Sequence, residues 1–112
     1  MPSGPIWESR WGAIAIDFTK GAYGSVFAQG SKRQAQRGAL KECRSNGGGK
    51  GCKVSLVYFN QCGVMARGDT YGVAQGAGTL DEASRIAVQR CSEHSTNCQV
   101  VLSECSFPVR VN

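Results

Sequence analysis

Six cysteines, one histidine and eight carboxylates are the groups in this 112-residue chain that most readily ligate a metal or exchange a proton near neutral pH. A lone imidazole, His94, excludes a histidine-rich metal site and any mechanism needing two imidazoles. It falls near the end of an expected helix, where a cation is favoured by the dipole, and this gives it a structural role. The sequence has no Gly-x-Ser-x-Gly elbow, and a cysteine–histidine nucleophile would need a cysteine outside any bridge. Zinc fingers and ribbons show cysteines two to four residues apart, and no such pair occurs. The stretch 47–51, Gly-Gly-Gly-Lys-Gly, fails as a phosphate loop because Lys50 precedes glycine instead of Ser or Thr and the loop follows a helix. Asp81 and Glu82 suit a helix N-terminus. Asp17 and Glu104, both on expected strands, are the pair a small carboxylate-dependent hydrolase would use. These residues predict no catalytic group, no cofactor and no metal.

Charge carries more information because it is uneven. Between residues 20 and 53 lie Lys20, Lys32, Arg33, Arg37, Lys41, Arg44, Lys50 and Lys53 against Glu42 alone, a net charge of +7 within a chain of net +5. Arg33, Arg37 and Lys41 recur every four residues, which on a helix makes one basic ridge. Such a ridge is either a solvated helix face or a surface for an anionic partner: an acidic protein, a cell-wall polymer or lipid headgroups. Nucleic acid is not expected, since aromatic and basic residues do not interleave in a recognised motif.

The elements that would carry these groups repeat. Tyr23-Gly24 recurs as Tyr71-Gly72, and Ala35, Ala39, Cys43 recur as Ala83, Ala87, Cys91, all 48 positions on. Cys52-Lys53-Val54-Ser55-Leu56 finds its partner 46 positions on in Cys98-Gln99-Val100-Val101-Leu102. Two copies make neither a solenoid nor a propeller, so they must close into one core. Each copy reads as strand, strand, helix, strand. Period-two alternation marks strands over 11–18 and 22–29, echoed more weakly over 63–67 and 71–75, with closing strands over 53–59 and 99–104. Ser31 with Gln34, and Thr79 with Glu82, offer capping boxes ahead of helices over 31–44 and 79–92. Asn46 and the glycines behind it end the first helix.

The expected fold is α+β: two pseudo-symmetric ββαβ units forming a mainly antiparallel sheet packed by two helices and held by three disulfides. Residues 1–10 form an N-terminal arm and 11–112 a single domain, with unit one at about 11–62 and unit two at about 63–106. Spacing leaves 15 ways to pair six cysteines, and the repeat selects one. Cys43 with Cys52, and Cys91 with Cys98, close equivalent helix-to-strand loops. Cys62 and Cys105 remain, and a bond between them would tie the halves together.

The set Trp11-Gly12-Ala13-Ile14-Ala15, Tyr23-Gly24, a helix carrying Ala35, Ala39 and Cys43, then Cys52-Lys53-Val54, Cys62-Gly63 and Cys98-Gln99-Val100-Val101 resembles the bacterial domain of unknown function 4189 (DUF4189) family. The resemblance implies a small exported domain and carries over no catalytic residue. The ridge Arg33, Arg37, Lys41 matches no motif of that family.

Six cysteines in a small chain point to an oxidising compartment, periplasmic or secreted. The first five residues have neither the basic nor the apolar region of a signal peptide. Apolar stretches such as 11–16 and 54–59 fall far short of the roughly 20 residues that cross a bilayer. The residues favour a non-enzymatic domain that binds a protein, as an inhibitor or immunity protein neutralising a toxin or cell-wall hydrolase does. The alternatives are a secreted effector or surface protein acting on a host or neighbouring cell, and the Asp17–Glu104 hydrolase.

Overall fold

The computed structural model describes residues 4–111, so the first three residues of the expected arm and the last residue of the chain lie outside it. The chain forms β1 (Trp7–Glu8), β2 (Trp11–Asp17), β3 (Ala22–Gln29), α1 (Lys32–Ser45), β4 (Lys53–Phe59), β5 (Gln61–Arg67), β6 (Gly72–Ala77), α2 (Leu80–Ser92), β7 (Gln99–Ser106) and β8 (Val109–Arg110). In the arm, β1 pairs with β8 from the far end of the chain, forming a short two-stranded ribbon.

Each unit is a ββαβ fold, as the repeat predicts. The strands divide into two three-stranded antiparallel sheets, β3-β2-β4 and β6-β5-β7, with the first strand of each unit in the centre. The division follows from side-chain size. Ala13 and Ala15 on one face of β2 pack with Ala35, Ala39 and Cys43 of α1, and Val64 and Ala66 of β5 pack with Ala83, Ala87 and Cys91 of α2. Ile14 and Ile16 on the other face meet Met65, Leu56 and Leu102 between the sheets. The result is four layers: helix, sheet, sheet, helix. Alternation in β2 therefore separates small from large side chains, and the strand is buried on both faces from Gly12 to Asp17. Small residues let a helix axis approach closely; a Cβ on Gly24 would run into the backbone of α1 at Glu42 and Cys43.

Each helix begins at its expected cap with half of the capping box: the cap hydroxyl bonds the first turn, and among the described residues no bond runs back from the Gln34 or Glu82 side chain to the cap N–H. Ser31 Oγ accepts from the Gln34 N–H at 3.1 Å and Thr79 Oγ1 from the Glu82 N–H at 3.2 Å, each satisfying a free donor of the first turn. All six cysteines are bridged, Cys43–Cys52, Cys91–Cys98 and Cys62–Cys105. One detail differs from expectation. Cys62 lies in β5, the first strand of unit two, directly opposite Cys105 of β7. The bond joins neighbouring strands of one sheet and does not tie the halves together, because the break between units falls at Asn60, two residues earlier than expected. What joins the halves is the packed seam between the sheets.

Candidate functional site

The ridge predicted from spacing forms on α1. Ala35, Ala39 and Cys43 face the sheet, and Arg33, Arg37 and Lys41 are exposed on the opposite side. Arg44, three residues beyond Lys41 and also exposed, extends the same face. No carboxylate lies within ion-pair distance of any of these four, the one salt bridge among the described residues being Arg10–Glu8. The 48-residue repeat places Asp81, Arg85, Gln89 and Ser92 at the corresponding positions of α2, so that helix presents a face with no net charge. Both helices do the same packing work, and only the outward face of α1 carries a net positive charge.

The two carboxylates of the hydrolase alternative are not brought together. Asp17 ends β2, buried, and spends its oxygens on the backbone: Oδ1 accepts from Thr19 and Lys20 N–H at 3.0 and 3.1 Å, Oδ2 from Gly49 N–H at 3.0 Å. These bonds, that from Gly49 first, hold its pKa below the usual carboxylate range. Asp17 thereby pins the glycine loop beside the Cys43–Cys52 bridge. Asp69 does the same for unit two, accepting from Thr96 Oγ1 and Asn97 Nδ2, both at 2.9 Å, beside Cys91–Cys98. His94 follows the end of α2, exposed, with its ring on Tyr71 at 4.7 Å.

Glu104 sits at the seam between the sheets. Its Oε1 accepts from Tyr58 Oη at 2.7 Å and its Oε2 from Ser25 Oγ at 3.2 Å. Burial raises the pKa of Glu104, and burial together with the facing carboxylate raises that of Tyr58. Tyr58 pairs with Gly12 in the first sheet, and Glu104 pairs with Gly63 in the second. A Cβ on either glycine would overlap the Tyr58 ring, so the ring lies in a slot that glycine alone leaves open. Tyr58 and Ser25 are not singled out by the chemistry of their sequence neighbourhood. The signal that finds Tyr58 is the 46-residue step of the closing strands, which makes it the counterpart of Glu104.

Among the described residues no group of three His, Cys, Asp or Glu side chains gathers to hold a metal, and no helix is long and apolar enough to cross a membrane. No curated protein and no solved structure matches the chain. A family model described as a domain of unknown function, DUF4189, matches residues 11–105, from the first residue of β2 almost to the end of β7. With both repeat units and all six cysteines inside that match, the chain belongs to the DUF4189 family.

Proposed function

We propose that this is an exported, non-enzymatic domain that binds a protein, docking the α1 ridge on an acidic surface of its partner, as an inhibitor or immunity protein docks on a toxin or cell-wall hydrolase. One observation carries the reading. Two helices with the same packing role differ on their outward faces, where Arg33, Arg37, Lys41 and Arg44 of α1 stand without counter-charges and their α2 counterparts sum to zero. Packing does not call for that charge, since α2 buries the same Ala-Ala-Cys stripe on its sheet without it. Arginine supplies three of the four cations, and its planar fork matches a carboxylate in a way the lysine ammonium does not. Three bridges in so small a domain suit an oxidising compartment and keep the domain rigid, so that little ordering entropy is lost on docking.

The test is affinity capture from the native cell envelope with the wild-type domain and with Arg33→Glu, Arg37→Glu and Lys41→Glu combined. An acidic protein retained by the wild type, released by salt and lost by the reversed variant is the expected result. Retention of the same proteins by both would contradict the reading.

A further inference from the structure

A groove of about 510 Å³ runs between β3 and β7, lined among others by Ser25, Phe27, Gln29, Leu102, Ser103 and Glu104. Both strands stand at the open end of their sheets. Edge strands leave backbone N–H and C=O groups unpaired; here the Ala28 N–H goes to Ser106 Oγ at 2.9 Å. Glu104 is partly buried at the groove, and the donors to its carboxylate, Tyr58 and Ser25, are neutral hydroxyls. No lysine or arginine among the described residues lies within ion-pair distance of it. Removing a carboxylate from water without a cation is costly, and the raised pKa of Glu104 expresses that cost. Phe27, 53% exposed, adds a ring to the lining, and a ring face attracts cations.

We propose that this groove binds a guanidinium or ammonium cation, seated on the Glu104 carboxylate beside the Phe27 ring. The missing counter-charge is what the ligand supplies. The cation arrives either as a small free amine or on the arginine or lysine of an extended segment that also pairs with the open edges of β3 and β7. The site lies in the seam, away from the ridge on α1, and stands or falls independently of it.

The test is an amide-resolved NMR titration of the intact domain with three probes: acetyl-Val-Arg-Val-amide, the same peptide with uncharged citrulline, and ethylguanidinium. The arginine peptide should shift amides of residues 25–29 and 102–105 and bind about tenfold or more tighter than the citrulline peptide, the scale of a charge-assisted bond. Glu104→Gln, which keeps an acceptor for Tyr58, should lose at least as much. Phe27→Ala, at an exposed position, should weaken binding without touching the Tyr58 slot. Binding should also weaken in acid as Glu104 takes up a proton, Tyr58 being the titratable group that faces it. Shifts with ethylguanidinium as well would mean the cation suffices; shifts with the peptide alone would mean the strand edges contribute. Equal binding of the citrulline peptide, unchanged binding by Glu104→Gln, or no response of the groove amides to any probe would overturn the proposal.

Discussion

Where the second unit joins β5 to β7 by Cys62–Cys105, the first unit stacks Trp11 of β2 on Phe59 of β4, ring centroids 4.8 Å apart. The next pair in register is Gly12 with Tyr58 in one sheet and Gly63 with Glu104 in the other. Further along, both central strands meet their closing strand through an irregularity, between Ile14 and Ala15 in one and Met65 and Ala66 in the other. Backbone geometry is thus repeated in detail while side chains at matched positions differ in kind. Positions alike in both units, the alanine stripes, the helix-to-strand bridges and the caps, hold the scaffold. Positions that differ, the outward faces of α1 and α2 and the Tyr58–Glu104 pair, are where a scaffold explanation runs out and a surface explanation begins.

The comparison is sharpened most by the bridges. In the chain-entropy picture, removing Cys62–Cys105, which spans 43 residues, should cost about 4 kcal/mol, against roughly 2.5 kcal/mol for the loops of 9 and 7 residues at Cys43–Cys52 and Cys91–Cys98. Denaturant unfolding of the three paired Cys→Ala variants checks the order. Equal losses for the two short loops are required if the units are equivalent, and unequal ones would break the comparison.

Gly12→Ala and Gly63→Ala come next. Each pushes a methyl group into the Tyr58 ring from one side, and overpacking of this kind costs roughly 1–3 kcal/mol. Thermal melts should show similar losses, because the ring is held from both sheets. Ser31→Ala and Thr79→Ala should each remove one cap and cost a similar amount, roughly 0.5–2 kcal/mol, without altering partner binding at a temperature where the domain stays folded.

The smallest effects are those of pH, and they run in opposite directions. Asp17, with its pKa lowered, stabilises the fold above the usual carboxylate range, and that contribution is lost as pH falls through it. Glu104, with its pKa raised, binds its proton more readily folded than unfolded, so its contribution improves as pH falls toward the usual range. Urea midpoints of Asp17→Asn and Glu104→Gln between pH 3 and 7 should separate the two, the first flattening the acid loss and the second steepening it.

The helices, the closing strands and the disulfide pairing were legible in the sequence because identical residue types recur at fixed steps, Ala35, Ala39 and Cys43 above all. The seam was not. The central strands are related by a step of 51, seen in Gly12 and Gly63, whereas the helices follow 48 and the closing strands 46, and the changing step hides which residues face one another. Tyr23-Gly24 and Tyr71-Gly72 match in sequence, yet Tyr23 packs into the seam and Tyr71 against the α2 layer. A shift of one residue turns a strand's side chains to the other face. Two sheets in place of one were equally hidden, since alternating Ala and Ile in β2 reads as a half-buried strand until a second sheet is known to cover the isoleucines.

The central claim, that equivalent helices differ because one carries a binding face, is tested most directly by exchanging those faces at constant net charge. Arg33→Asp and Lys41→Gln, with Asp81→Arg and Gln89→Lys, give each helix the other's residues at these positions and leave the chain at +5. An octaglutamate peptide titrated by NMR should mark the amides of α1 in the wild type and those of α2 in the exchanged variant, with the fold retained in both. A footprint that stays on unit one after the exchange, or one spread evenly over both units in the wild type, would contradict the account.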